Sequence, residues 1–304
     1  MKAPAFEYVR PGSLGEAFAL LAEYGDEARL LAGGQTLLAT LNMRLSEPAM
    51  LIDINDIAEL HGIQLQGNVL RINAMARHSQ IEHSPLVAQH APLLTMAASH
   101  IGHRAIRNRG TWGGSIAYAD PAGEWPACAL ALDAEIIVGS AAGERRIPAA
   151  DFYVDLYTTT LAADEIVLAC ELPVRTPDRF HGFEELSRRH GDYAIVGLAC
   201  NARCGGQNMP IRDARLALLG VCATPVRARR AEAFLEGKAP TEDVISEAAA
   251  VLQAELDGER APLADLTNSP ATKRHLAAVL LRRVVGGMAD GMASATQNTA
   301  GAAH

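Results

Sequence analysis

The sequence predicts an α+β fold, and three observations carry the prediction. The stretch ARLLAGGQTLLATLNMRL passes from a short apolar strand through a double glycine, Gly33 and Gly34, into a helical pattern starting at Thr36. AMLIDINDI and NVLRINAMA read as buried strands, apolar and β-branched, with Asn and Gly between them. Further on, FHGFEELSRRHGDYAIVGLACNARC and ARLALLGVC alternate as an antiparallel sheet would, and the chain then changes to helical periodicity. With 304 residues the sensible expectation is about two or three compact units.

The elements follow in order. SLGEAFALLAEYG opens with a capping box, Ser13 with Glu16 three residues on, and closes at Gly25, so it is one helix. Ser84-Pro85 starts another, because serine caps and proline suits the first helical position, and its pattern lasts to about Ser99. IRNRGTWGGS, residues 106–115, reads as a loop, followed by a helical stretch through PACALALDA and the strands AEIIVGS and DEIVLACELP. Pro173 and Pro177 bracket a linker. VRARRAEAFLEGK, TEDVISEAAAVLQAELD and SPATKRHLAAVLLRRVVGGM read as helices, the last capped by Ser269. Residues 288–304 are small, polar and aperiodic, and read as a flexible tail.

Composition limits the function. Hydrophobic residues make up 49% and charged residues 20%, as in a globular protein with large cores. A net charge of −8 argues against a nucleic-acid or anionic-membrane surface, so any anion site is local. The five cysteines, Cys128, Cys170, Cys200, Cys204 and Cys222, form no CxxC pair and read as buried apolar residues in a reducing compartment. His100 and His103 lie one turn apart, but no carboxylate or cysteine completes a ligand set, so no metal is expected. No stretch approaches the about 18 apolar residues of a membrane span, and the N-terminus has no apolar signal core. The expected location is the cytoplasm.

Two glycine-rich stretches, AGGQT and GTWGGS, each place consecutive small residues beside a hydroxyl: Thr36 in the first, Thr111 and Ser115 in the second. Exposed amides with hydroxyls make an anion-binding nest, and two nests together suit a pyrophosphate. Neither matches a GxGxxG fingerprint or a Walker A loop. From the residues alone a second reading stays open, in which both glycine pairs are tight turns. Arg107 and Arg109 read either as groups that neutralise a diphosphate or anchor a partner, or as solvated loop charges; Arg104 reads as the latter.

LLAGGQTLLATLNMRL, LIDINDIAELHGI, IGHRAIRNRGTWGGSIAYADPAGEWPA and ELSRRHGDYAIVG, in this order, resemble the FAD-binding medium subunit of molybdenum hydroxylases. That family includes the medium subunit of aerobic carbon monoxide dehydrogenase and the flavin domain of xanthine dehydrogenase. The resemblance implies a two-part FAD-binding region of the vanillyl-alcohol oxidase (PCMH) type over residues 1–176, with subdomains 1–56 and 57–176. A C-terminal domain of a small antiparallel sheet and helices would follow over residues 177–287. It implies that Ala32, Gly33, Gly34, Gln35, Thr36, Leu37 and Leu38, together with Thr111, Gly113, Gly114 and Ser115, wrap the FAD diphosphate. Ile101 falls at a position that touches the flavin, Asp120 and Glu124 where acidic residues meet the ribose and adenosine end, and Ile166 at a backbone contact on the adenine side. Asp192 and Tyr193 match the pair that approaches the isoalloxazine ring.

The sequence departs from the family at two places. Glu184 and Glu185 stand where many relatives carry a lysine, and Ser115 replaces the usual asparagine after the second glycine pair. The resemblance further implies a noncovalent FAD on an electron-transfer oxidoreductase subunit with no catalytic acid–base residue of its own. The molybdenum cofactor would sit on a large partner and two iron–sulfur clusters (2Fe–2S) on a small one, in a heterotrimer that pairs into a dimer. The alternative is a stand-alone flavin-dependent oxidase or reductase of the same flavin fold.

Overall fold

A computed structural model of the chain describes residues 2–204, 209–258 and 260–300, with residues 289–300 by main chain alone. The strands Glu7–Val9, Met50–Asp53 and Ala28–Leu31 form a parallel sheet with Met50–Asp53 in the centre. Parallel neighbours need crossovers, and the helices Leu14–Tyr24 and Leu37–Asn42 supply them. Ser13 caps the first helix as its spacing predicts, accepting from the Glu16 amide at 3.3 Å. The central strand, MLID, is buried along its whole length, as its unbroken apolar run requires.

A second, antiparallel sheet has five strands in the order Ile63–Gln66, Val69–Asn73, Ile166–Pro173, Glu135–Ser140 and Gly143–Pro148. The helix Glu124–Ala131 is apolar on every side, and all of Trp125 to Ala131 is buried. A helix of that kind belongs in the middle of a core. Here it packs against the C-terminal sheet on one side and against the helices Pro92–Ala98, Trp112–Tyr118 and Ala149–Phe152, and one apolar cluster runs through all three sheets.

The C-terminal sheet is antiparallel, in the order Arg179–Leu186, Val196–Arg203, Arg212–Leu219 and Val226–Arg227. Its strand Val196–Arg203 is buried on both faces, and period-two alternation divides its side chains. Val196, Leu198, Cys200 and Ala202 pack under the helices Arg229–Leu235, Glu242–Glu255 and Pro270–Ala300, while Ala199 faces back into the first core. Asn201 Nδ2 donates to the Ala131 carbonyl at 3.1 Å, and the Gly220 amide donates to the Pro121 carbonyl at 2.7 Å. The C-terminal sheet is thereby fastened to the segment around Asp120.

Three local features differ from the sequence reading. The helix expected from Ser84 to Ser99 is two helices, Pro85–His90 and Pro92–Ala98, because Pro92 has no amide to continue the first. The second glycine pair lies in the first turn of a helix, Trp112–Tyr118, rather than in a loop. The last helix continues to Ala300, so residues 288–300 are helical where composition reads as a flexible tail. Alanine-rich sequence sustains a helix without an apolar stripe. Residues 301–304 of that tail lie outside the described residues.

Candidate functional site

The strand Ala28–Leu31 gives way at Ala32, and the next four residues lead into a short helix, Leu37–Asn42. Gly34 takes φ +70°, a conformation that glycine adopts without the cost other residues bear. The first helical bond closes only at Leu38, whose amide donates to the Gly34 carbonyl at 3.1 Å. Among the described residues the main-chain N–H groups of Gly33, Gly34, Gln35 and Thr36 have no intramolecular acceptor. Backbone donors are rarely left without a partner unless water or a ligand takes them. Four consecutive free donors around a left-handed glycine form an anion cradle.

GTWGGS is built differently. The amides of Trp112 and Gly113 donate to the carbonyls of Ala76 and Ala74 at 2.9 and 2.8 Å. Gly114 donates to Thr111 Oγ1 at 3.2 Å and Ser115 to the Thr111 carbonyl at 3.1 Å, so Thr111 is an ordinary helix cap. These amides are already engaged, which corrects the reading of this stretch as a second nest. The glycines serve closeness instead: a Cβ at Gly113 would lie 2.4 Å from the Ala74 Cβ. The pairing with Ala74 and Ala76 joins residues almost forty positions apart, which no local motif reveals. Ser115 contributes a half-buried hydroxyl that makes no hydrogen bond among the described residues.

The fold brings the two stretches into contact. A Cβ at Gly33 would fall 2.4 Å from the Arg109 carbonyl oxygen and 2.8 Å from the Gly110 Cα, and one at Gly114 would stand 3.8 Å from the Ala32 Cβ. One of the open arginine readings closes here. Arg107 donates to Glu82 at 2.8 Å and to the carbonyls of Ile101 and Gly102 at 3.3 and 3.1 Å, so it is structural. Arg104 and Arg109 have exposed side chains.

The remaining candidates divide into two groups. Asp120, Glu124 and Tyr193 share one neighbourhood with Tyr118 and Tyr157, whose rings stand 5.1 Å apart. Tyr193 is 69% exposed, at the end of a loop where Gly191, at φ +83°, fits against the His103 ring. Asp192 faces Arg189 at 3.3 Å. Ile101 and Ile166 instead place their side chains in the core, and Ile166 pairs with Gly139 at the start of its strand. Any ligand contact at these two residues falls to the main chain.

The structure gives Glu184 and Glu185 different surroundings. Glu184 faces Arg283 at 3.7 Å near the surface. Glu185 turns inward, with Oε1 at 3.6 Å from His100 Nδ1 and Oε2 buried without a hydrogen-bond partner among the described residues. Its like charge adds to the main effect, desolvation, in pushing the Glu124 carboxyl up to about 8 from 4.5.

A raised carboxyl pKa means that the folded state binds the proton more tightly than the unfolded chain does. The stabilisation is fully present below pH 4.5 and is lost as pH rises through about 8. Glu124→Gln is therefore expected to flatten the fall in melting temperature of the cofactor-free protein across that window. Parallel melting curves against pH for variant and wild type would show that Glu124 is not the titrating group.

Residues 4–175 match the FAD binding domain in molybdopterin dehydrogenase, and residues 181–288 match the CO dehydrogenase flavoprotein C-terminal domain. The chain belongs to the molybdopterin dehydrogenase FAD-binding family. It is 36% identical to caffeine dehydrogenase subunit beta of Pseudomonas sp. (strain CBB1), over 95% of this chain and 97% of that protein. It is 39% identical to 6-hydroxypseudooxynicotine dehydrogenase complex subunit alpha of Paenarthrobacter nicotinovorans, over 83% and 86%. Carbon monoxide dehydrogenase from Hydrogenophaga pseudoflava superposes with a TM-score of 0.90 at 37% identity, covering 96% of this chain and 99% of that one.

The expected fold, an FAD-binding region followed by a sheet-and-helix domain, agrees with these matches, and the chain is an oxidoreductase subunit with FAD as its cofactor. The free amides at Gly33 to Thr36 fit the anionic diphosphate of that cofactor. Among the described residues no helix is long and apolar enough to cross a membrane.

Proposed function

We propose that the chain is the electron-transfer flavoprotein of a cytoplasmic molybdenum hydroxylase, taking electrons from an iron–sulfur subunit and delivering them to an external acceptor. The molybdenum cofactor and two iron–sulfur clusters belong to a large and a small partner, in a dimer of heterotrimers. The observation that carries the reading is the row of four free amides, which suits a bound diphosphate. The relatives support the partners, since they are described as subunits of dehydrogenases, one of them of a dehydrogenase complex.

Bound FAD supplies one- and two-electron redox chemistry. The protein's own residues divide the remaining work. Residues 33–36 hold the diphosphate, with Leu37 and Leu38 beginning the helix behind them and Ser115 adding a hydroxyl. Residues 111–114 close the wall through main-chain packing. Asp120 and Glu124 line the side next to the Tyr118, Tyr157 and Tyr193 cluster, and Asp192 with Tyr193 borders the ring. Residues 1–176 would thus carry the cofactor, and residues 177–287 would cover its ring end.

The test begins with the chain expressed alone. One FAD per chain is expected, released by acid precipitation because no histidine or cysteine lies in either glycine stretch to bond it. Anaerobic mixing with the reduced small subunit should then bleach the flavin, while the chain alone hydroxylates nothing. A colourless chain that ignores added FAD, or one that carries stoichiometric iron or molybdenum, would overturn the proposal.

A further inference from the structure

A hydrogen-bonded bracket joins the segment that carries the free amides to the second glycine stretch. Asn55 Nδ2 donates to the Ala32 carbonyl at 2.9 Å and, at a longer 3.4 Å, to the Leu31 carbonyl. Asn55 Oδ1 accepts from Arg77 Nη2 at 2.5 Å, and Arg77 Nη1 donates to the Arg109 carbonyl. That carbonyl is the group pressed against Gly33. Two side chains therefore join the last residue before the first glycine pair to the residue before Gly110, across the seam where the two stretches meet.

The bracket is itself anchored. Asp53 Oδ1 accepts from both the amide and the side chain of Asn55, at 3.0 and 2.5 Å, and Asp53 Oδ2 accepts from the Tyr8 hydroxyl at 2.5 Å. The Asn55 carbonyl lies 3.0 Å from His61 Nε2. Asn55 thus has its carboxamide orientation decided: the NH₂ group faces carbonyl oxygens and Asp53, and the oxygen faces Arg77. An amide flip would set like groups against each other on both sides.

Peptide geometry turns this into a statement about the ligand. In a trans peptide the C=O and N–H of one unit point in opposite directions. Holding the Ala32 carbonyl on Asn55 therefore aims the Gly33 N–H the other way, to the side where the four amides have no acceptor. We infer that Asn55 and Arg77 are positioning residues for the FAD diphosphate, fixing the direction of the Gly33 amide and the distance between the two glycine stretches. The inference rests on the cofactor reading above. Arg77 acts here through its fork: two nitrogens on two acceptors, a geometry that lysine cannot reproduce.

The experiment measures binding of FAD, and separately of ADP, to the cofactor-free full chain and to Asn55→Ala and Arg77→Lys, alongside the melting temperature of each without ligand. Wild type is expected to bind both. Each variant should lose affinity on the order of tenfold, by the same factor for FAD as for ADP, since the loss lies at the shared diphosphate. Lysine preserves the charge, so wild-type affinity in Arg77→Lys would mean that Arg77 acts as a point charge, and the bracket would be wrong. A lowered melting temperature with unchanged affinity would also overturn it, leaving these residues a purely structural role. Wild type that ignores FAD would instead sink the cofactor reading itself, and the bracket with it.

Discussion

Gly33→Val is expected to abolish FAD binding while leaving most of the fold intact. The added Cβ would stand 2.4 Å from the Arg109 carbonyl oxygen and 2.8 Å from the Gly110 Cα, and both are main-chain atoms. A flexible side chain could move aside; here the two glycine stretches must separate. Overpacking of this kind costs about 1–3 kcal/mol, and separation also spoils the aim of the free amides, so a loss of at least about a hundredfold in affinity is expected. Gly34→Ala should be milder, because only the side chains of Leu31 and Leu38 come near and the main cost is its φ of +70°. Thr111→Ala should be mildest, since a lost helix cap costs about 0.5–2 kcal/mol. Fluorescence titration of FAD into the three variants, with circular dichroism to establish folding, gives the order. Equal affinities for Gly33→Val and wild type would remove the seam from the site.

The order of these effects also shows what a one-dimensional reading reaches. Ser13, Ser84 and Ser269 cap helices where their spacing predicts, because a cap and its amide are three residues apart. The first glycine pair was legible for the same reason: its free amides and its left-handed residue are consecutive. Gly113 and Gly114 look identical in sequence, yet their amides are spent on Ala74 and Thr111. Asn55 and Arg77 carried no signal, since each matters through a carbonyl that lies 23 or 32 residues away. Nor did the sequence show that Glu185 would turn inward towards Glu124, although alternation along its strand could have raised the question. Local chemistry was readable, whereas partners brought together by the sheets were not.

Tyr193→Ala is expected to leave FAD bound and the protein as stable as wild type, while changing the flavin's potential and its reaction with acceptors. A buried tyrosine would behave otherwise, since truncating a large aromatic in a core costs about 3–5 kcal/mol. Tyr193 is 69% exposed, so that cost does not arise, and a surface replacement stays within about 0.5 kcal/mol. The ring is nevertheless held in place. Gly191 fits against His103 at a φ of +83°, Ala194 is buried directly after it, and the Ile195 amide donates to the Leu186 carbonyl at 2.7 Å. An exposed aromatic on a pinned loop, next to Tyr118, Asp120 and Glu124, is placed to cover a planar ligand rather than to fill a core. The proposed diphosphate cradle at residues 33–36 is separate from this loop in the chain, so affinity should change little. Removing the ring admits water to whatever it covers, and the shift should appear in the flavin absorbance, in the reduction potential and in the rate of reoxidation by acceptors. Hydroxylation by the assembled complex, followed for a single turnover, should keep its rate. A variant with unchanged potential and reoxidation would place Tyr193 away from the flavin and return the cluster of three tyrosines to the protein surface.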